Sequence, residues 1–444
     1  MVRHDYRFTS LAVSGCLLFL LVACSPFGSA DSGPTPTPST SGRTTTPTTG
    51  GATSTPTTAP LPATPTACPT AFTARAAVFA PLVLGLHQNI VYVFNQFAVP
   101  GYSGSGEIKR YDASTSKKVI IVNTPKSLIG DAQISPDGQW ILFTTAVSSS
   151  SAVALQLVRM DGQGLQTLYC SYTEQFGLGS IEWSPDQKTV AFNDGNKVDL
   201  LDLATGHLQV VLVEPTAGIW AFPATWLDDT HIYMPSFVPY SDVPPQSLYA
   251  LDTAKGADQQ VSDLIKVFDY SGSCLSFDSS VDNAKLFVST CHATHGPGVS
   301  PTQQGPSTII SEPALGGQQT TVSTNPTLAI TTVRVISRTT MLLLIQNLTG
   351  DTSHNGLWKM NLDGTGLTHL TTAGTGQMSS LNGTSQFPWS NISRDGSMYA
   401  LEIHSNNGTT QALLIGSLGG TSPSTFATVS HTVGGVAIVG WTTM

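Results

Sequence analysis

The 444-residue chain is predicted to be an all-β protein, a seven-bladed β-propeller of four-stranded antiparallel blades, on three observations. The segment Ile134-Ser135-Pro136-Asp137-Gly138, followed by Trp140-Ile141-Leu142-Phe143, returns in worn form six more times, at intervals of 43 to 59 residues. Each copy consists of short strands parted by glycine turns, and its apolar residues do not recur at 3.6, which excludes helix-pair repeats of similar period. The last copy ends with the chain as Val436-Ala437-Ile438-Val439-Gly440-Trp441, one strand with nothing after it.

The unit between Ala132 and Tyr169 shows the four strands, a to d, in order. Strand a ends at Ile134. Ser135-Pro136-Asp137-Gly138 is a turn, with proline set for φ near −65° and glycine for the left-handed position after it. Strand b starts at Trp140 and ends at Thr144; strand c, from Ala152 to Met160, alternates around Leu155, Leu157 and Met160. Asp161-Gly162-Gln163-Gly164 is the next tight turn, and strand d runs from Leu165 to Tyr169. The order recurs with Trp183-Ser184-Pro185-Asp186, with Leu362-Asp363-Gly364-Thr365-Gly366-Leu367 and with Ile392-Ser393-Arg394-Asp395-Gly396. The residues before each turn, taken as anchors, are Ile134, Trp183, Trp226, Phe277, Ile336, Ile392 and Trp441. The anchors Trp226 and Phe277 rest on spacing more than motif, because Leu227-Asp228-Asp229 and Asp278-Ser279-Ser280 lack the proline.

These two turns, serine-proline-aspartate-glycine after strand a and aspartate-glycine-x-glycine-leucine between c and d, resemble the WD-like repeat of TolB-like propellers, over most of residues 85–444. The ends agree with a ring only when joined. Ile90 to Phe94, Ile108 to Tyr111 and Val119 to Val122 supply b, c and d without an a, and the C-terminal strand supplies it. One blade shared between the termini removes free sheet edges.

The N-terminal region has another character. Arg3 and Arg7 precede an apolar run too short to span a membrane, and residues 1–23 are expected to be a signal peptide. Leu21-Val22-Ala23-Cys24 resembles the bacterial lipobox, which implies cleavage before Cys24, lipidation of its sulfur and tethering of the mature chain on the extracytoplasmic side of a cell-envelope membrane. Residues 24–70 then form a Thr/Pro/Ser-rich linker whose only charges are Asp31 and Arg43. Such a segment buries too little apolar surface to order itself; extended at about 3.1 Å per residue it reaches on the order of 140 Å. Residues 71–444 are the propeller domain.

Charged residues make up 11% of the chain, against about 25% in an average domain, which suits many half-buried strands. The net charge of −9, without a basic cluster, argues against nucleic acid. Beyond Cys16 and Cys24, four cysteines remain. An exported domain favours disulfides; of the three pairings, Cys274 with Cys291 and Cys68 with Cys170 are preferred over the others, free buried thiols being the alternative.

In such a blade the a–b and c–d connections share one face, and the b–c and d–a connections share the other. The first set is expected to be tight throughout. The second is long, at residues 96–106, 235–246, 292–307 and 347–356, joined by 171–179 and 373–388. Long loops on a rigid scaffold are where binding concentrates. Phe97, Tyr102, Trp220, Phe222, Phe237, Tyr240, His292, His295 and His354 are therefore the candidate contacts, packing within their own loops being the alternative for each.

Chemistry finds little support. Cys291-His292-Ala293-Thr294-His295 lacks further ligands, so no metal is expected. Asn193-Asp194-Gly195-Asn196 lacks the oxygen spacing of a calcium loop and suits a hairpin turn. Gly101-Tyr102-Ser103-Gly104 does not complete a nucleophile elbow. Asp112, Asp202, Asp252 and Asp363 recur before turns and are expected to be structural. No catalytic residue or cofactor is assigned. The expectation is a monomeric, lipid-anchored binding or scaffolding module for a protein, peptide or glycan. The alternative is a propeller lyase or glycoside hydrolase using channel carboxylates such as Glu182 and Glu402.

Overall fold

A computed structural model describes residues 68–69, 82–97, 104–147, 153–172, 178–213, 220–237, 247–269, 274–296, 299–347, 351–372, 378–380, 391–405, 409–420 and 422–444. The leader, Cys24 and nearly all of the linker lie outside them. Among the described residues no helix is long and apolar enough to cross a membrane.

The strands come in seven groups. In chain order they are β1 (Gln88–Gln96), β2 (Ser105–Asp112) and β3 (Lys118–Thr124); β4 (Ser127–Ile134), β5 (Trp140–Val147), β6 (Val153–Arg159) and β7 (Gln166–Ser171); and β8 (Leu178–Trp183), β9 (Thr189–Asp194), β10 (Lys197–Asp202) and β11 (Leu208–Leu212). Next are β12 (Trp220–Ala221), β13 (Thr225–Trp226), β14 (His231–Phe237), β15 (Ser247–Asp252) and β16 (Ile265–Asp269), then β17 (Cys274–Ser279), β18 (Lys285–Gly296), β19 (Val299–Pro313) and β20 (Thr320–Asn325). The last are β21 (Ile330–Val335), β22 (Thr340–Ile345), β23 (Gly356–Asn361) and β24 (Thr368–Thr372); β25 (Met378–Ser380), β26 (Met398–His404), β27 (Thr410–Ser417) and β28 (Ser424–Ser430); and β29 (Gly434–Thr443). Each group is one antiparallel sheet, and β29 joins the first as β29-β1-β2-β3. The ring of seven blades therefore closes through the C-terminal strand, with Gln88 opposite Thr443 and Gln96 opposite Gly434.

Unbroken apolar runs such as Trp140-Ile141-Leu142-Phe143 follow from this stacking. Seven hydrophobic clusters each lie between two successive blades. Successive residues of a strand point to opposite faces, so Leu142 packs toward the third blade while Ile141 and Phe143 pack toward the first.

The a–b turns share one hydrogen-bond pattern. Ser135 Oγ donates to Asp137 Oδ1 (2.5 Å) and accepts the Trp140 N–H (2.9 Å). Ser184, Asp186 and Thr189 repeat it, as do Ser393, Asp395 and Met398. The fifth blade does so with Ser280, Asp282 and Lys285. Its anchor is thus Ser279, two residues beyond the expected Phe277. Valine in place of proline, and a serine pair that fits either register, hid the turn. Gly138, Gln187, Asn283 and Gly396 all stand at positive φ in its last position. Asp112, Asp202, Asp252 and Asp363 accept backbone N–H groups from their own turns, a structural use as expected.

The c–d connections are not tight throughout. In the fourth blade residues 253–264 form two short 3-10 turns, at Thr253–Lys255 and Val261–Asp263, and Gln259 joins the outer strand of the third blade, its N–H donating to Val211 O (3.0 Å). This contact belongs to a repeated device. In every blade the c–d pairing skips one residue of strand d: Ile121, Leu168, Val211, Val267, Val322, Leu370 and Phe426. Each is apolar and at least partly buried. A bulge bends the outer strand and spoils it as a template for edge-to-edge pairing. The next blade's turn then settles on the bulge carbonyl: a Cβ added to Gly162 would stand 2.8 Å from Ile121 O, and one added to Gly316 3.0 Å from Val267 O. Gly162→Ala should accordingly lower stability by about 2 to 3 kcal/mol, combining left-handed strain with a displaced neighbour. Gly396→Ala, also at positive φ but with open space around its Cβ, should cost about 1 kcal/mol. Equal urea midpoints for the two variants would remove the close-approach argument.

Cys68 and Cys170 form a disulfide across 102 residues of sequence, tying the start of the domain to the second blade. Cys291 is also disulfide-bonded, and Cys274 stands opposite it in the β17–β18 register.

Candidate functional site

The a strands of neighbouring blades touch, β4 with β8, β17 with β21 and β29 with β4, so they form the inner wall of the ring. An a strand pairs with b on one side only, and its other edge needs partners. Side chains of the preceding blade supply them. Asp131 Oδ2 accepts the Ser180 N–H (2.7 Å) and Gln133 Oε1 the Trp183 N–H (2.7 Å). Ser276 Oγ accepts Val333 N–H (3.0 Å) and Asp278 Oδ2 accepts Val335 N–H (2.7 Å). Glu402 Oε1 and Gln411 Oε1 accept the Ile438 and Val436 N–H groups, at 2.7 and 3.1 Å.

Glu182 and Glu402 are placed by the same scheme, one in the third blade and one in the seventh. Glu182 is buried, and Gln133 Nε2 donates to its Oε2 (2.8 Å). Burial pushes its carboxyl up to about 8, with the charge of Asp131 acting in the same sense and the Gln133 hydrogen bond opposing. Asp199, in β10, is the second such group. Burial first, then the charge of Asp194, pushes it up to about 7, and among the described residues its Oδ1 has no hydrogen-bond partner. Among the described residues no group of three His, Cys, Asp or Glu side chains is placed to hold a metal ion.

On the face carrying the longer connections, His354 lies in the b–c connection of the sixth blade, half-exposed and 2.8 Å from Asp351 Oδ2. Its ring stacks toward Trp358 (6.2 Å, 23°), which lies flat on His369 (4.1 Å, 6°). The Trp358 indole N–H donates to His354 O (2.8 Å), which holds the stack together. Phe97 is half-buried, and its N–H donates to Val433 O (2.8 Å). Phe222 is buried at 4% exposure, inside the fold rather than presented. Tyr102 and Tyr240 lie outside the described residues; Trp220, Phe237, His292 and His295 are on strands, their side chains likewise outside the description. The stretch 292–307 is not a loop: β18 and β19 continue as a hairpin, pairing His292 with Gln304 and Gly296 with Val299.

Three features of this face were not foreseen. Tyr172, 68% exposed, follows β7, with its hydroxyl 3.4 Å from Cys68 Sγ. Lys109 lies over the Phe94 ring at 4.4 Å. His404 and His431 meet across the seventh blade. Their sequence signal was slight, a lone aromatic or two histidines 27 residues apart. The opposite face holds a cavity of about 380 Å³ between the fifth and sixth blades, lined by Val281, Lys285, Phe287, Arg338 and Leu362 among others.

No family model matches the chain, and no curated protein does. Solved structures are similar to it. TolB from Acinetobacter baumannii is 14% identical, with 63% of this chain and 62% of that chain covered and a TM-score of 0.39. A structure from a study of two prolyl endopeptidases is 11% identical over 79% of this chain and half of that one, with a TM-score of 0.52. An oligogalacturonate lyase from Vibrio parahaemolyticus is 14% identical over 72% of this chain and 71% of that one, with a TM-score of 0.31. The chain thus spans less than two thirds of the TolB and endopeptidase chains. At these identities the likeness is one of fold.

Proposed function

We propose that the protein is an envelope-anchored recognition module, held by a lipid on Cys24 at the end of the Thr/Pro-rich linker. Its propeller presents the longer-connection face to a protein, peptide or glycan. The observation that carries this reading is the use made of Glu182 and Glu402. Each accepts a hydrogen bond that ties one blade to the next, Glu182 from the Gln133 amide and Glu402 from the Ile438 N–H, so both carboxyls already serve in holding the ring together. The aromatic groups around His354, Trp358 and Phe97 supply the kind of surface that recognition uses.

A second reading has its own support. A buried carboxyl with a raised pKa is what a general acid needs, and Glu182 is one. The similar structures include, by name, a prolyl endopeptidase and an oligogalacturonate lyase, although fold alone does not choose among functions. One experiment addresses both. The lipid-free domain is immobilised and presented with envelope extract and a panel of oligosaccharides. Retention should be lost in a Phe97→Ala/His354→Ala variant and kept in Lys285→Ala/Arg338→Ala, which alters the opposite face. Loss in the second variant alone would overturn the choice of face. Turnover of an oligosaccharide, abolished by Glu182→Gln, would replace recognition by catalysis.

A further inference from the structure

We propose that the His404–His431 contact is a proton-sensitive clasp that holds the entry to the closing strand and, through it, the Phe97 segment of the recognition face. His404 ends β26, and His431 lies in the connection from β28 to β29. His404 Nδ1 and His431 Nε2 are 3.3 Å apart, the ring planes differ by 12°, and the centroids are separated by 5.4 Å. A ring nitrogen lies about 1.1 Å from its ring centre, so two such radii and the nitrogen gap account for nearly the whole centroid distance. The contact is therefore close to linear, one N–H pointing at the other ring's lone pair. That is a hydrogen bond between two imidazoles, not the convergence of two lone pairs on a shared metal.

Such a bond needs one ring to be neutral at the facing nitrogen. Protonating both leaves two donors aimed at each other and two like charges 3.3 Å apart. The surroundings offer little to offset that charge. Glu402 lies two residues back on the same face of β26, with one oxygen already accepting the Ile438 N–H. Met378 of β25 and Gln411 of β27 face His404 in register, and neither titrates. β25, β27, β28 and β29 contain no ionisable side chain, and β1 contributes Tyr92, which burial pushes up to about 12. Burial lowers the pKa of both histidines, and His431 lowers that of His404 further. With folded values below the usual 6.5, the clasp is intact above that pH, persists while a single ring is charged, and is lost as pH falls through the lower of the two values, where the second ring is protonated.

What the clasp holds is specific. Two residues past His431, Val433 O accepts the Phe97 N–H (2.8 Å). Just beyond, Val436 and Ile438 donate to Gln411 and Glu402. Once the His431 ring is released, this turn keeps only backbone restraints such as His431 N–H to Thr409 O and Val433 N–H to Ser430 O (2.9 Å each), so the Phe97 bond loosens while the β1–β29 ladder stays in place. The proposal concerns this seam whatever ligand the face takes.

Hydrogen exchange on the mature, full-length protein tests it. After correction for intrinsic pH dependence, protection of the Phe97 and Val436 amides should fall at least tenfold between pH 7.5 and 5, while Ile141 and Leu342, in the second and sixth blades, stay unchanged. His431→Gln and, separately, His404→Gln keep hydrogen-bonding groups without the charge and should abolish the pH response. Unchanged protection in the wild type, or a response that persists in both variants, would overturn the clasp. Loss of ligand retention with this pH response intact would count against the recognition reading alone.

Discussion

Removal of residues 436–444 should abolish the cooperative unfolding transition of the domain. The deleted segment buries Val436, Ile438, Val439 and Trp441, the last at 0% exposure. At about 1.5 to 3 kcal/mol for each large apolar side chain, the loss is roughly 8 kcal/mol, comparable to the whole stability of an ordinary domain. The damage also spreads beyond the first blade. Thr442 Oγ1 donates to Gly138 O in the second blade (2.9 Å), and Arg394 Nε, from the seventh, donates to Trp441 O (3.2 Å). Without these residues, the inner edge of β1 is left unpaired from Gln88 to Phe94, an open template for aggregation. The milder Trp441→Ala should leave a folded ring destabilised by about 3 to 5 kcal/mol. Calorimetry of the three proteins decides the matter. A truncated domain melting at the temperature of the intact one would mean that the ring does not depend on its closing strand.

The parts of this architecture that were legible in the sequence are those set by neighbouring residues. A serine, an aspartate two residues on and a left-handed residue after it form the a–b turn within five positions, and the motif marks that turn in the second, third and seventh blades. The unfinished strand at Trp441 was legible because its missing partners stood at the other end of the chain. The seven bulges were not. Whether Ile121 or Val322 is skipped depends on the facing strand, and a single extra residue in a strand of six or seven leaves alternation nearly intact. Blade-to-blade bonds were hidden for a similar reason, since Gln133 and Glu182 are 49 residues apart and neither belongs to a motif. Long loops pointed to a face but not to what its side chains do. Phe222 lies in the same kind of sequence as Phe97, yet burial separates them, and burial is set by tertiary packing that the neighbouring residues do not encode.

Glu182→Gln should make the protein more stable relative to wild type as pH rises, a direction opposite to that of a salt-bridged carboxylate. In the unfolded chain the group titrates at its ordinary value of 4.5, and in the folded chain at about 8. A folded-state pKa raised in this way favours the native state fully below 4.5. The advantage is lost progressively as pH climbs toward 8, because the unfolded chain ionises first. At pH 7.5 the wild type forgoes about 4 kcal/mol relative to pH 4.5, at roughly 1.4 kcal/mol per unit. Glutamine cannot ionise, and its Oε1 still accepts the Gln133 Nε2–H, so the interblade bond is kept. The difference in unfolding free energy between variant and wild type should therefore grow by about 4 kcal/mol between pH 4.5 and 7.5, read from urea midpoints at several pH values. Asp199→Asn should show the same sign over a lower window, since Asp199 rises from 3.8 to about 7. A difference that stays constant across the range would show that Glu182 is ionised in the folded ring. It would then stand as a buried charge, and the proton-holding role on which the enzyme reading depends would be lost with it.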